Sequence, residues 1–409
     1  QDKDMKIPFS PPYIDQDIIN SVCESLNSGW ITTGPKVAAL ESELKDYLKA
    51  KSVIAVNSWT SGATLVLRWL GLKQDDEVIV PAYTYCATAM AVMEAGAKPV
   101  MVDISPRDLT IDVEKIREAI TPRTKAIITV DIAGMPCQYD KIKQLLDTPQ
   151  VREKYSASSD VQKKLNRILL ISDSAHAVGA EYRGKTITQW VDVSVQSFHA
   201  VKNITSAEGG AICLNLPEQF DEEETRKFFK LMTLNGQTKD AFTKNQAGAW
   251  RYDIVEFGMK INLPDINAAV ALAQLRKYDY LLQERKRVFE LYHSLLSEYH
   301  WAILPPKSNS TFQSVYHLFL LRINPITEEQ RNQIIANLSK KEIATNVHYI
   351  PMPELSLFKR MGYKSENYPQ AMDAYAREIT LPLYPQLTDE QVKHIVRNLV
   401  EEYYNVVNK

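Results

Sequence analysis

The sequence predicts an α/β protein with a mostly parallel sheet and a second, smaller domain, and three observations carry this prediction. Short β-branched runs alternate with longer helical patterns, which is typical of a parallel sheet covered on both faces. The intervening segments are amphipathic, with apolar residues recurring every three and four positions. The chain has 409 residues, enough for a large domain and a smaller one. The seven predicted strands are 52–56, 77–80, 99–104, 126–130, 168–173, 193–198 and 210–215.

The segments between these strands are interpreted as crossover helices. Residues 61–72 (SGATLVLRWLGL) and 112–120 (DVEKIREAI) show the helical pattern clearly. The stretch 143–167 is longer and more charged than a crossover requires. We expect it to form a helical excursion on the surface, with disorder as the alternative, and to decorate that surface rather than cover the mouth of an active site.

The chain changes character after a long helical pattern over residues 265–299. The apolar runs 318–323 and 344–350 then predict strands of a smaller α+β domain, and 389–405 predicts its last helix. No internal repeat and no low-complexity tract interrupts this organisation.

The predicted division is a large domain over residues 1–275 and a small domain over residues 276–409. Residues 1–30 form a segment that can pack on the small domain. The first fifteen residues lack an apolar core of the kind that signal peptides have, and no run of 18 apolar residues occurs. We therefore expect a cytoplasmic protein, with a signal peptide removed before Gln1 as the open alternative.

Charge and cysteine content exclude several classes of function. The chain carries 48 basic and 50 acidic residues, so we expect no nucleic acid and no membrane surface as a partner. Its cysteines are far apart in apolar or small surroundings and form no CxxC pair. They predict buried thiols in a reducing compartment, without disulfides and without a metal site. The four cysteines are Cys23, Cys86, Cys137 and Cys213.

Polar residues follow three of the predicted strands. Asp173 ends the strand 168–173, Lys202 follows the strand 193–198, and NSWTSG follows the strand 52–56. Because ligands in open α/β sheets bind at the carboxyl ends of the strands, these residues are expected at one edge. A lysine beside a low-dielectric pocket loses basicity, which prepares its amine for covalent chemistry with a carbonyl group. Taken singly, Lys202 is more often a solvated loop lysine and Asp173 a helix cap or turn residue.

The stretch NSWTSG places Thr60, Ser61 and Gly62 at the start of a helix, where free backbone N–H groups favour a phosphate. An ordinary Ser/Thr helix cap is the alternative. A cofactor that needs a phosphate site, an aspartate for a ring nitrogen and a lysine for an aldehyde is pyridoxal 5'-phosphate (PLP). The combination therefore predicts a PLP site.

Ordered motifs along nearly the whole chain carry a family resemblance. They are SGWITTGPKVAALE, NSWTSGATL, DEVIVPAYTYCATA, ITPRTKAII, DSAHAVGA, SFHAVKNITSAEGG, KINLPDINAAVALAQL, YHLFLLRI, VHYIP and LPLYPQLT. With these motifs the sequence resembles the DegT/DnrJ/EryC1/StrS sugar aminotransferases, which are PLP-dependent enzymes of fold type I. Within that family, three segments make it most similar to the UDP-4-amino-4-deoxy-L-arabinose aminotransferase type. They are GWITTGPK, the segment from HAVKN to AEGG, and KINLPDINAA.

The resemblance implies three catalytic residues. Lys202 would bond to the PLP aldehyde and then shuttle a proton. Asp173 would hold the pyridine nitrogen protonated, so that the ring can accept electrons. His176 would lie beside the ring near its phenolic oxygen, with a structural, hydrogen-bonded histidine as the alternative.

The resemblance also implies the remaining cofactor contacts. Thr60, Ser61 and Ser197 would bind the phosphate together with Asn262, which in this family comes from the partner subunit. Tyr85 would stack on the pyridine ring. By periodicity alone, plain core packing is the more frequent role for Tyr85.

For the sugar, the resemblance points to Trp30 and Thr32 in the GWITTGPK loop and to four further residues. As isolated residues, the histidines among them are more often structural than functional. The four are His199, His317, His348 and Tyr349.

Four positions bear on the subtype. Ala207 in AEGG and Leu263 in KINLPD depart from many family members but agree with the arabinose type. Asp131 stands where relatives often carry histidine, which weakens any assignment of the sugar. Lys202 argues against the subset of the family that has histidine there and works as a dehydratase.

The expected function is transfer of the amino group of L-glutamate to a nucleotide-linked keto sugar. The cofactor would alternate between PLP and its amino form, PMP, in a homodimer with shared active sites. We expect a 4-keto sugar and a product used in surface polysaccharide or lipopolysaccharide. The alternatives are a 3-keto sugar aminotransferase, a PLP lyase acting on an amino acid, and a non-catalytic or regulatory member of the same fold.

Overall fold

The computed structural model describes residues 5–239 and 244–409. Seven of its strands form one sheet in the order β1-β9-β8-β5-β4-β2-β3. Two three-stranded sheets have the orders β10-β12-β13 and β11-β6-β7. The strands are β1 Ser52–Val56, β2 Glu77–Pro81, β3 Lys98–Val102, β4 Thr124–Val130, β5 Leu169–Asp173, β6 Glu181–Tyr182, β7 Lys185–Thr186, β8 Val193–Ser197, β9 Gly210–Leu214, β10 Ala302–Ile303, β11 Phe312–Gln313, β12 Phe319–Ile323 and β13 Glu378–Leu381.

Helices connect and cover these strands. In the described part of the chain they are α1 Gln16–Ser28, α2 Pro35–Leu48, α3 Trp59–Leu70, α4 Ala87–Glu94, α5 Val113–Ala119, α6 Tyr139–Leu146, α7 Pro149–Lys154, α8 Asp160–Leu165, α9 Ile187–Trp190, α10 Glu222–Met232, α11 Asp265–Leu275, α12 Tyr278–Leu296, α13 Glu328–Lys340, α14 Ser356–Arg360, α15 Pro369–Arg377 and α16 Asp389–Val407.

The seven-stranded sheet is mostly parallel, so the predicted fold class is confirmed. Strand β2 pairs in parallel with β3 and β4, and the parallel pairing continues through β5 to β8. Strand β9 lies antiparallel between β1 and β8. Strands β1, β5 and β8 therefore point the same way, and their carboxyl ends meet at one edge of the sheet.

Alternate residues of the central strands enter different cores. In β2, Val78 and Val80 pack in the core that contains Leu65 of α3. Ile79 between them packs instead in the core that contains Ile142 of α6. Because both faces of the strand are buried, its sequence is a nearly continuous apolar run, as is usual for strands of a parallel sheet that is covered on both faces.

Strand β9 begins with a glycine where the backbone has no room for a side chain. Gly210 pairs with Val56 on one side and with Ser197 on the other. A Cβ at Gly210 would lie 2.6 Å from the Gln196 carbonyl oxygen and 2.9 Å from the Trp59 backbone nitrogen. The absence of a side chain therefore lets the first turn of α3 lie directly against the ends of β1 and β8.

The C-terminal part of the chain builds a separate core around β12 and β13. Phe319 and Leu381 of these strands pack with Val288 of α12 and Leu399 of α16. Ile7 is buried in the same core and pairs with Ile343, so the beginning of the described chain contacts this region. The division at residues 275 and 276 stays a prediction.

Two predictions of secondary structure were wrong. Residues 344–350 form no strand. Asn346 makes a single bridge to Thr380 of β13, and the next N–H on that side, from His348, donates to the Glu378 side chain and not to the backbone of β13. The pattern over 265–299 is two helices, α11 and α12. They are separated at Lys277, whose backbone leaves the helical region (ψ 17°), while the apolar periodicity continues past the break.

The excursion over residues 143–167 is helical, as predicted, and contains the end of α6 with α7 and α8. Ser159 and Gln162 donate side-chain hydrogen bonds of 2.7 and 3.1 Å to the carbonyl oxygen of Leu70. These contacts cap the C-terminal end of α3, which is the end remote from NSWTSG.

The prediction of four buried cysteines was wrong in part. Cys137 and Cys213 are buried, but Cys86 is partly exposed and Cys23 is exposed. Cys23 lies on α1, whose buried residues include Ile18 and Ser25, and local composition does not determine which helical face points outward. Among the described residues all four thiols are free. In the same part of the chain, no helix combines the length and the apolar character that a membrane span needs.

Candidate active site

A cavity of about 530 Å³ opens at the carboxyl edge of the large sheet. Residues from the ends of β1, β4, β5 and β8 meet there with residues from the beginning of α4 and the segment around His348. The side chains that matter for its chemistry are Ser58, Thr60, Tyr85, Thr88, Asp173, His176, Ser197, His199, Lys202, His348 and Tyr349.

Asp173 is buried at the end of β5 and is held by two hydrogen bonds. The Thr88 hydroxyl donates to Oδ2 at 2.8 Å, and the Ala175 N–H donates to Oδ1 at 3.1 Å. Burial raises the pKa of Asp173 to about 6, while both hydrogen bonds and the charge of Lys202 act in the opposite direction. At neutral pH the site therefore contains a buried carboxylate that can hold a positive charge.

Lys202 reaches the same cavity from the turn after β8. Its backbone N–H donates to the His199 carbonyl oxygen at 2.9 Å, which closes the turn. Burial lowers the pKa of Lys202 to about 8, and the Asp173 charge opposes this shift. About one tenth of the amine is therefore uncharged at pH 7, far more than for an ordinary lysine, and this uncharged form is the one that nucleophilic chemistry requires.

The first turn of α3 forms another wall of the cavity. Ser58 is the N-cap, and its hydroxyl accepts the Ser61 N–H at 3.0 Å. Thr60 and Ser197 line the cavity, whereas the Ser61 hydroxyl donates to Asn57 Oδ1 at 2.6 Å. The first N–H groups of a helix have no acceptor within it, so this wall is suited to an anion.

His176 and Tyr349 form a hydrogen-bonded pair beside Lys202. The Ala133 N–H donates to Nδ1 of His176 at 3.1 Å, and Nε2 lies 2.9 Å from the Tyr349 hydroxyl. Burial lowers the pKa of His176 well below its usual range, so the ring is neutral. Because Nδ1 accepts a hydrogen bond, the ring proton is on Nε2 and is donated to Tyr349. The Tyr349 hydroxyl can then donate its own proton to another group.

The other three predicted histidines occupy different positions. His348 lines the cavity, and so does the exposed His199, whose Nε2 lies 3.6 Å from a carboxylate oxygen of Glu208. His317 is buried behind the cavity and its Nδ1 lies 2.8 Å from Oδ1 of Asn203, the residue after Lys202. His317 therefore contacts the turn that carries the lysine.

Tyr85 lines the mouth of the cavity with 62% of its surface exposed. The alternative of core packing was therefore wrong. The ring stands at the entrance, where an aromatic group can cover a planar ligand.

Asn262, Trp30 and Thr32 lie outside the walls of this cavity. The Asn262 amide donates to the Thr33 hydroxyl at 2.8 Å, and Trp30 Nε1 donates to the Thr33 carbonyl oxygen at 3.2 Å. The Thr32 carbonyl oxygen accepts the N–H at the start of α11 at 3.2 Å. Within one chain, the three residues thus cluster near Thr33 and do not reach Lys202.

Sequence reasoning did not identify Thr88 as part of the site. Its hydroxyl holds Asp173 and lies 3.0 Å from the hydroxyl of Thr84. Both residues belong to the AYTYCATA stretch, but a threonine in an apolar helix has no local feature that identifies its hydrogen-bond partner.

The residues in the cavity fit PLP. The wall at Thr60 and Ser197 would hold the phosphate, Asp173 would hold the ring nitrogen, and Lys202 would hold the aldehyde carbon. The pKa values of Asp173 and Lys202 leave a carboxylate and a reactive amine together at neutral pH, as this assignment requires.

Comparisons with known proteins agree with this geometry. The solved structure of Spr1654 from Streptococcus pneumoniae in its PMP form, assigned as a sugar aminotransferase, is 42% identical; the match has a TM-score of 0.94 and covers 98% of this chain and 100% of that one. Apo and PLP forms of Spr1654 match similarly. PseC of Helicobacter pylori, an aminotransferase involved in pseudoaminic acid biosynthesis, is 27% identical with a TM-score of 0.85, over 98% of this chain and all of the other.

A curated relative and a family profile extend the agreement to the sequence. SpsC of Bacillus subtilis, a spore coat polysaccharide biosynthesis protein, is 31% identical over 95% of each chain. The profile of the DegT/DnrJ/EryC1/StrS aminotransferase family matches residues 12–153 and 154–400. The expected fold and the PLP cofactor are thereby confirmed, and the chain belongs to the DegT/DnrJ/EryC1/StrS aminotransferase family.

Proposed function

We propose that the protein transfers the amino group of L-glutamate to the keto group of a nucleotide-linked sugar, with a 4-keto sugar preferred. The observation that carries this proposal is the pairing of Lys202, whose pKa is lowered, with the buried carboxylate of Asp173 in one cavity. The arabinose-type motifs favour position 4. Amination at position 3 is the alternative.

Three side chains would perform the chemistry. PLP withdraws electrons from the carbon that carries the amino group, so that the C–H bond there becomes acidic. Asp173 would keep the proton on the ring nitrogen, because a buried carboxylate stabilises a positive charge placed beside it. Nζ of Lys202 takes the proton from the substrate carbon of glutamate and later delivers a proton to the sugar carbon. His176 orients Tyr349 beside these groups.

The remaining predicted residues would bind the two substrates. His348 and Tyr349 line the cavity next to Lys202 and offer polar groups to the sugar. His199 lies at the exposed side, where the nucleotide would leave the cavity, and Tyr85 would cover the ring at its mouth. His317 would act through Asn203.

We further propose a homodimer in which Asn262, Trp30 and Thr32 complete the partner's site. Among the described residues, the segment 250–257 exposes a row of large apolar side chains, which a second copy would cover. Trp250 is 71% exposed and Phe257 is 86% exposed; the others are Tyr252, Ile254 and Val255.

Mixed dimers test this shared site. Lys202→Ala and Asn262→Ala variants are each expected to be weakly active. When they are unfolded and refolded together, hybrid dimers have one intact site, so about a quarter of the wild-type activity should return. Each variant refolded alone is the control. If the mixture is no more active than the separate variants, Asn262 acts within its own chain.

The lowered pKa of Lys202 predicts a pH dependence of cofactor capture. The apo-protein should bind PLP covalently at a rate that rises with pH and levels off above about 8, because only the uncharged amine attacks the aldehyde. Stopped-flow visible absorbance measures this rate. A rate that continues to rise up to about pH 10, as for an ordinary lysine, would contradict the assigned environment.

The reaction itself is tested in two halves. Glutamate should convert the PLP form to the PMP form with release of 2-oxoglutarate, and a nucleotide-linked 4-keto sugar should then restore the PLP form. Faster turnover of the 3-keto isomer would favour the alternative position. A protein that binds PLP but shows neither half-reaction would be a non-catalytic member, and loss of an amino acid side chain without amine transfer would indicate a lyase.

The product would be a nucleotide-linked amino sugar for surface polysaccharide or lipopolysaccharide. The names of SpsC and PseC, which refer to the biosynthesis of spore coat polysaccharide and of pseudoaminic acid, support this proposal. The cytoplasmic location stays a prediction from the sequence.

A further inference from the structure

A buried carboxyl group lies behind the cavity and has no part in the chemistry described so far. Glu378 begins β13 and has no exposed surface. A buried carboxyl needs hydrogen-bond donors, and both of its oxygens are used. Oε2 accepts the backbone N–H of His348 at 3.1 Å, and Oε1 is hydrogen-bonded to the hydroxyl of Thr380.

The Thr380 hydroxyl continues this contact to the imidazole ring of His348. Its Oγ1 lies 2.8 Å from Nδ1 of His348. The His348 carbonyl oxygen is held by the Tyr83 hydroxyl, and the ring stacks on Phe9 with 6.0 Å between centroids. His348 is therefore held firmly in place, and Glu378, Thr380 and His348 form one continuous chain of hydrogen bonds.

The second ring nitrogen of His348, Nε2, has no hydrogen-bond partner in the described parts of the chain, and His348 lines the cavity. Burial lowers the pKa of His348 to about 3, so the ring is neutral and carries one proton. If that proton is on Nδ1, Nε2 accepts a hydrogen bond from a ligand; if it is on Nε2, the ring donates one.

The position of this proton follows from the carboxyl group. When Glu378 is ionised, the Thr380 hydroxyl donates to it and must accept from Nδ1–H of His348, which leaves Nε2 as an acceptor. When Glu378 is protonated, the proton is on Oε1, because Oε2 faces an N–H donor. Thr380 then accepts from Glu378 and donates to Nδ1, which leaves Nε2–H as a donor.

We propose that Glu378 is a positioning residue that sets the tautomer of His348, and thereby decides whether His348 accepts or donates a hydrogen bond to a substrate hydroxyl. The identity of that substrate rests on the proposed function, whereas the tautomer does not. Glu378 thus determines specificity for the sugar without touching it.

The surroundings of Glu378 set the pH at which this change occurs. Burial raises the pKa of Glu378 to about 8, and the contacts with Thr380, the His348 N–H and the arginines oppose the shift. Above that pH, Nε2 of His348 accepts a hydrogen bond from the ligand, and below that pH Nε2–H donates one. The charged and titratable groups that face the carboxyl are Arg322 on β12, Arg331 on α13, Tyr83 after β2, and His348 and Tyr349.

The test is side-chain ¹⁵N NMR of the PLP-bound protein with labelled histidine, with the His348 signal assigned from a His348→Gln variant. The wild-type tautomer should change from Nε2–H to Nδ1–H as the pH rises through about 8. In Glu378→Gln the amide oxygen must face the His348 N–H, so its NH₂ group donates to Thr380. His348 should then remain in the Nε2–H form at every pH.

Thr380→Val and Thr380→Ser provide matched controls. Valine removes the hydroxyl and should abolish the pH dependence of the tautomer, whereas serine keeps the hydroxyl and should preserve it. The same tautomer in wild type and Glu378→Gln at all pH values, or the same pH-dependent change in both, would overturn the inference.

A kinetic measurement relates the tautomer to the substrate. In wild type, KM for the keto sugar should change about tenfold as the pH passes the pKa of Glu378, because one hydrogen bond changes direction. In Glu378→Gln this change should be lost while the glutamate half-reaction is retained. A purely structural role would lower thermal stability without altering the pH profile. Failure of the glutamate half-reaction in wild type would refute the proposed function and leave the tautomer result unaffected.

Discussion

Replacing Lys202 by alanine is expected to remove the visible absorbance of the covalently bound cofactor and to slow amine transfer by at least about 10²–10⁴-fold. The variant loses the amine that bonds to PLP and also the group that moves the proton between carbons. Absorbance spectra of the purified protein and single-turnover rates with L-glutamate measure the two effects. PLP should remain weakly bound, because the wall at Thr60 and Ser197 is unchanged.

Two further substitutions separate charge from chemistry. Lys202→Arg keeps the positive charge but cannot supply an uncharged amine, so it should be as inactive as the alanine variant. Lys163→Ala removes an exposed lysine of α8 and should behave as wild type. Glutamate turnover in Lys202→Ala within about tenfold of the wild-type rate would show that another group moves the proton.

Replacing Asp173 by asparagine is expected to lower the rate of the glutamate half-reaction by about 10²–10³-fold while the cofactor stays bound through Lys202. The amide keeps the size of the side chain and can still bond to Thr88 or Ala175. It cannot neutralise a protonated ring nitrogen, so electron withdrawal from the substrate carbon weakens. Stopped-flow absorbance after mixing with glutamate measures the rate.

Thr88→Val is the matched control for Asp173, because it removes one hydrogen bond of 2.8 Å and leaves the charge in place. Its rate should fall by about tenfold or less. If Asp173→Asn and Thr88→Val were slowed equally, the hydrogen bond and not the charge would be the important contribution of this part of the site.

The large sheet could be predicted strand by strand because the signal is local. Most residues of the seven runs are buried and apolar, and every predicted strand lies within two residues of the observed one at each end. Ligands in such sheets bind at the carboxyl ends of parallel strands. This rule alone was enough to predict that Asp173, Lys202 and the start of α3 lie at one edge of the sheet.

Irregular segments could not be predicted in this way. Residues 344–350 have the composition of a strand, but the backbone N–H groups of Val347 and His348 donate to the side chains of Asn346 and Glu378, so strand pairing does not continue past Asn346. The prediction of one continuous helix over 265–299 was wrong for a similar reason. Apolar periodicity indicates which face is buried, but it does not show whether the helical backbone is unbroken.

The sequence by itself determined the parallel sheet, the PLP site and the family, because periodicity and motif order are properties of neighbouring residues. Only the tertiary structure decided which side chains meet: His176 with Tyr349, Asp173 with Thr88, and His348 with Glu378 through Thr380. It also placed Asn262 away from Lys202 in one chain. Such pairs join distant positions, as with the separation of 173 between His176 and Tyr349. The burial of these side chains, the direction of their hydrogen bonds and their pKa values all follow from how elements distant in the sequence pack together. No local sequence pattern encodes that packing.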